Sequence, residues 1–95
     1  MSAYIIVDIK VNEPKEYDTY KKLTTGTLAN FGGRFIVRGG QSETLEGEWK
    51  PERVVVLEFP SIQKAKAWWG SPEYAQAKEI RQRTAVTKMI LVEGV

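Results

Sequence analysis

The chain has 95 residues, 42% of them hydrophobic and 27% charged, with a net charge of +2 and neither cysteine nor histidine. That is the composition of one soluble globular domain over residues 1–95. It excludes disulfides, thiolate nucleophiles and cysteine-ligated clusters, along with the imidazole that most general bases, haem irons and zinc sites use, so neither a metal nor a cofactor is expected. The charge is too small to point to nucleic acid, and no apolar run reaches the roughly 20 residues that cross a bilayer. No basic, apolar and small-residue leader is visible, so the expected location is cytoplasmic.

Residues 3–11 (Ala-Tyr-Ile-Ile-Val-Asp-Ile-Lys-Val) alternate, with Ala3, Ile5, Val7, Ile9 and Val11 on one face. This is a strand pattern. Asn12-Glu13-Pro14 reads as a helix start, with proline in the first turn and Glu16 near the positive end of the dipole. Tyr17, Tyr20, Thr24, Thr27, Leu28 and Phe31 recur at helical spacing, and Gly32-Gly33 stops the run. A second strand is predicted over 34–38 (Arg-Phe-Ile-Val-Arg), ended by Gly39-Gly40. The stretch from Gln41 to Glu52 is long for a hairpin connection, which makes it a projecting β-arm or a functional loop. Arg53 to Phe59 is the clearest strand. Ser61 caps a helix carrying Ile62, Ala65, Trp68 and Trp69. Gly70 breaks it, and Ser71-Pro72-Glu73 restarts a helix with Tyr74, Ala77, Ile80 and Arg81 on its inner side. A last strand runs from about Val86 to Glu93.

The order is strand, helix, strand, strand, helix, strand. It predicts an α+β fold of the ferredoxin-like kind: a four-stranded antiparallel sheet with helices on one face. Alternation then places Tyr4, Ile6, Asp8 and Lys10 on the uncovered face, with Arg34, Ile36, Arg38, Val54, Val56, Glu58, Lys88, Ile90 and Val92. So much apolar surface is unusual for a solvent face, and so many charges are unusual for a core. A second copy of the chain covering this face, sheet against sheet, satisfies both demands and makes the expected partner a homodimer. The plainer alternative is a monomer with a wet, mixed face.

Residues 32–40 (Gly-Gly-Arg-Phe-Ile-Val-Arg-Gly-Gly), Leu45-Glu46-Gly47 with Trp49, Pro51-Glu52-Arg53, Glu58-Phe59-Pro60-Ser61, Ser71-Pro72-Glu73-Tyr74, Arg81 and Leu91-Val92-Glu93-Gly94 form a recurring pattern. Together they resemble the domain-of-unknown-function family 1330 across essentially the whole chain. The resemblance implies a ferredoxin-like fold pairing into a dimeric α/β barrel, and no established activity. The wider barrel superfamily includes cofactor-independent monooxygenases, lactone isomerases, haem-binding dismutases and ligand-binding modules. Without histidine, the haem branch does not fit.

Candidate site residues follow from chemistry. Arg38 beside two glycines could grip a carboxylate, or pair with Glu58 beside a strand end that needs positive φ. Asp8 and Glu58, the acids on the open face, could be general bases if an apolar cavity raised their pKa. The alternative is structural ion pairing with Lys88, Arg34 and Arg38. Trp68 and Tyr74 could wall a pocket. Trp68 and Trp69, being adjacent, cannot both face one core. Trp49 reads as an interface anchor. Arg81, seven residues after Tyr74, shares its helix face and could hold a substrate acid, cap carbonyls or pair with Glu73. Tyr4 and Tyr74 are candidate hydrogen-bond donors. No RNA-binding motif accompanies the strand order.

The expected function is binding of a small acidic or enolic metabolite inside the barrel, with cofactor-free proton transfer as its chemistry if it catalyses at all. Against this stands a non-catalytic homodimeric interaction module.

Overall fold

Alternating apolar residues build the first strand and fix its inner face. In the computed structural model, which describes residues 1–95, Ala3–Val11 form β1, Pro14–Leu28 form α1, Arg34–Arg38 form β2 and Val54–Phe59 form β3. Ile62–Trp69 form α2, Pro72–Thr84 form α3 and Ala85–Glu93 form β4. The sheet order is β2-β3-β1-β4, with every pairing antiparallel. This is the ferredoxin-like architecture that the element order predicts.

The core lies between the helices and one face of the sheet. Ala3, Ile5, Val7 and Ile9 of β1 are buried there with Val55, Leu57 and Phe59 of β3. Tyr17, Tyr20, Thr24 and Leu28 of α1 cover them, as do Ala65 and Trp68 of α2 and Tyr74, Ala77, Arg81 and Thr84 of α3. Both serine caps form as predicted. Ser61 accepts from the Lys64 N–H at 3.1 Å, and Ser71 accepts from the Tyr74 N–H at 3.1 Å. The Ser71 hydroxyl also donates to the Trp68 carbonyl at 2.8 Å, which ties the end of α2 to the start of α3. This junction fixes the spacing of Trp68 and Tyr74, whose rings pack 3.9 Å apart. Trp68 is fully buried and Trp69 is exposed, the division that adjacent positions on a helix impose.

The open face carries the register expected on three strands: Tyr4, Ile6 and Asp8 lie between Glu58, Val56 and Val54 on one side and Val92, Ile90 and Lys88 on the other. On β2 the expectation fails. Phe35 stands opposite Leu57 and Val37 opposite Val56, so Ile36 is an extra, bulged residue. One extra residue reverses the side-chain phase. Arg34 therefore faces outward beside Glu58, whereas Arg38, opposite Val55, faces inward under α1. The pairing of Arg38 with Glu58 is corrected accordingly: Arg34 holds that carboxylate, through Nε at 2.8 Å and a terminal nitrogen at 2.6 Å.

The segment between β2 and β3 forms no β-arm. It folds back as a strap on the open face, where the Trp49 indole N–H and the Glu52 backbone N–H donate to the two oxygens of Asp8 at 3.1 and 3.0 Å. No helix is long and apolar enough to cross a membrane.

Candidate functional site

Beneath α1, where it crosses β1, β3 and β2, the packing leaves a cavity of about 20 Å³. That volume accommodates little more than one water molecule. Its walls are apolar: Val7, Ile9, Val55 and Leu57 from the sheet, Phe35 and Met89 at the sides, and the rings of Tyr17, Tyr20 and Trp68 above. Its charged lining consists of Lys21, Arg38, Arg53 and Arg81, with no carboxylate among them.

Local structure explains how the cations arrive. The β2 bulge turns Arg38 inward, where its guanidinium carbon sits 4.1 Å from the Phe35 ring centroid. Its polar tether is one weak contact, 3.5 Å from the Thr25 hydroxyl. Arg53 precedes β3 in phase with Val55, Leu57 and Phe59, so it points toward the core face. Its guanidinium lies over Gly39, where a Cβ would come within 2.6 Å of Cζ. Gly39 thus meets two demands, this close approach and a φ of 75°. Arg81 projects from α3 and is 3% exposed. It donates to the Tyr74 hydroxyl at 3.3 Å and to the Thr87 hydroxyl at 2.6 Å, and does not pair with Glu73.

The chain's ion pairs are Lys21–Asp18, Arg34–Glu58 and Arg83–Glu16. Arg38, Arg53 and Arg81 belong to none of them. Of the three, Arg81 is buried, Arg53 half-buried and Arg38 exposed. Buried charge without a partner is costly, and the Nε–H of Arg53 is itself buried with no acceptor. Burial pushes the Tyr17 hydroxyl up to about 12, aided by Tyr20 and opposed by the fields of Arg53, Arg81 and Arg38. All three guanidinium charges are therefore felt at one point of the cavity wall. Burial likewise drives Tyr74 far above the ordinary tyrosine range, with Tyr20 adding to the effect.

The residues singled out from sequence divide between the two faces of the sheet. Arg38, Trp68 and Arg81 line the cavity, and Tyr74 stands behind Trp68. Tyr4, Asp8 and Glu58 lie on the open face, away from it. The raised pKa expected for a base at Asp8 is not found. The Trp49 hydrogen bond lowers it, joined by the Glu52 and Arg53 backbone N–H groups and by the Lys88 charge, and these outweigh desolvation. Sequence reasoning missed Lys21, Tyr17, Tyr20 and Arg53 as site residues. For Arg53 a signal existed: an arginine in phase with three core residues of a strand.

No functionally curated protein matches the chain. Among solved structures, a protein of unknown function from Rhodopseudomonas palustris is similar at 18% identity and a TM-score of 0.79, covering 99% of this chain and 82% of that one. A dimeric ferredoxin-like protein of unknown function from Jannaschia sp. CCS1 is similar at 13% identity and a TM-score of 0.76, covering 99% and 100%. SnoaB, a cofactor-independent oxygenase from Streptomyces nogalater, is similar at 12% identity and a TM-score of 0.64, covering 99% and 93%. At these identities the likeness is one of fold. The family is settled by sequence: the model of the domain of unknown function DUF1330 matches residues 2–95, and the chain belongs to that family.

Proposed function

We propose that the protein binds a small organic acid or enol as its anion in the cavity under α1, and that it does so as a homodimer. One observation carries the reading: three arginines line an apolar cavity and none has a carboxylate partner. An oxyanion supplies the missing charge and the missing acceptor together. The cavity as it stands is too small for a metabolite. Arg38, exposed and held by one weak hydrogen bond, is the side chain that swings out to admit one. Any chemistry is proton transfer between the ligand and the tyrosine hydroxyls, in a site whose positive field favours the anion. Asp8 and Glu58, each engaged by donors on the far side of the sheet, are assigned to the dimer seam.

The homodimer reading is supported by the open face, where Ile36, Val37, Ile90 and Val92 are all 38–60% exposed, and by the dimeric state of the Jannaschia protein. Native mass spectrometry of protein purified from its own cells tests both parts, since it reads subunit number and bound mass at once. A dimer is expected. Calorimetric titration with small carboxylates then tests the site. Binding is expected in the parent protein and is expected to fall at least tenfold in Arg38→Ala and Arg81→Ala. Unchanged affinity in both variants overturns the assignment, and a monomer overturns the seam.

A further inference from the structure

The Tyr20 and Tyr74 oxygens lie 2.8 Å apart. Tyr74 is fully buried, and its only other polar neighbour is the Arg81 Nε–H, at 3.3 Å. Arginine donates and never accepts. If Tyr20 donated to Tyr74, the Tyr74 proton would be buried with no acceptor, which is the more expensive arrangement. The proton order is therefore Arg81 N–H to Tyr74 oxygen, and Tyr74 O–H to Tyr20 oxygen. This leaves the Tyr20 O–H without an acceptor in the protein. Tyr20 is 8% exposed and forms part of the cavity wall. The Arg53 Nε–H, packed over Gly39, is likewise unpartnered. The cavity wall itself is apolar, set by rings such as Tyr17, Phe35 and Trp68, and the cationic and hydroxyl-bearing side chains that line it bring donors but no carboxylate.

Building on the anion-binding reading, we infer that the Tyr20 hydroxyl is the ligand-facing donor, positioned by Tyr74 and Arg81, and that it holds the oxygen of a planar enol or phenol bound as its anion. A single O–H suits a single oxygen, and a flat conjugated skeleton suits the ring-lined walls. Tyr20 is the residue in contact with ligand. Tyr74 and Arg81 act through it.

The probe is 4-nitrophenol, whose bound phenolate reports its own hydrogen bonding by its absorption band, with benzoate as a carboxylate probe. The parent protein is expected to bind the phenolate. Tyr20→Phe, which keeps the ring, is expected to bind it about tenfold to a hundredfold more weakly, the effect of one hydrogen bond to a charged group. The bound phenolate's absorption band is expected to move to longer wavelength, because its oxygen has lost a donor. Tyr74→Phe is expected to give a smaller change in the same direction, and it serves alone if the Tyr20 variant fails to fold. A purely structural role for either tyrosine would leave the band of whatever probe still binds in place. An unmoved band with unchanged affinity in the folded variants overturns the inference while leaving anion binding intact. Benzoate binding without phenolate binding does the same. Binding of neither probe overturns both readings.

Discussion

Replacing Arg53 with methionine separates a group held for a ligand from one held for the fold. The Arg53 guanidinium makes no ion pair, and its buried Nε–H has no acceptor. A buried, unsatisfied donor costs roughly 1–3 kcal/mol. Methionine matches the arginine stem in length, fills irregular apolar space and brings no donor. Arg53→Met should therefore stabilise the protein by about 1–2 kcal/mol. For a domain of this size that corresponds to a rise in Tm of about 5–15 °C. Urea unfolding followed by circular dichroism is the assay, with the midpoint rising and the slope m unchanged. The same variant should lose ligand-linked stabilisation. An anion at a hundred times the parent's Kd adds about 2.7 kcal/mol to the parent protein, and at the same concentration should add about 1.4 kcal/mol or less to a variant whose affinity has fallen tenfold or more. A loss of stability of 1 kcal/mol or more at constant m would refute the reasoning, because the guanidinium would then be holding the structure together rather than awaiting a partner.

Three further outcomes follow from the geometry. Gly39→Ala should destabilise the fold by about 1 kcal/mol through its left-handed backbone alone. It should also weaken anion binding, since its Cβ would displace the Arg53 guanidinium 2.6 Å away; calorimetry of the folded variant checks this. Asp8 has a lowered pKa, so its stabilising effect is complete above the ordinary carboxylate range and is lost as pH falls through its folded value. Fluorescence of Trp49 should report release of the strap in acid, and Asp8→Asn should show the released signal at neutral pH; an unaltered spectrum refutes the strap. Trp68→Ala removes a fully buried ring that donates to the Thr27 hydroxyl at 3.0 Å. It should cost about 3–5 kcal/mol, measurable by thermal melting.

Much of the fold was legible because it rests on local rules. Alternation in Ala3–Val11 and Val54–Phe59, proline at the starts of α1 and α3, and serine caps at 61 and 71 each act over a few residues. Ile36 obeys no such rule. Nothing in Arg-Phe-Ile-Val-Arg marks a bulge, because the extra residue is dictated by how β2 meets β3 and not by the strand itself. That one residue carried Arg38 to the opposite face. The strap was illegible for a similar reason: Trp49 and Asp8 are 41 residues apart, and their contact depends on a fold already formed.

The proposed anion site leaves no mark on the net charge, because charge is sorted between surfaces while the sum stays near zero. With 14 lysines and arginines against 12 acids, the chain looks balanced. The structure puts Glu58 with Arg34 and leaves Asp8 under Trp49 on the open face, while Asp18 and Glu16 pair at the helix surfaces. No acid remains under α1, where Arg38, Arg53 and Arg81 gather. Random placement would mix the signs, and selection for stability alone would replace a buried, unpaired cation such as Arg81 with an apolar side chain. A local surplus of positive charge inside an apolar wall is what a recognition site for anions requires. Beside Arg38 and Arg81, which the sequence marked on chemical grounds, the phase of Arg53 with β3 is a further trace: strand parity that places a cation among core residues calls for a partner, and here the chain provides none.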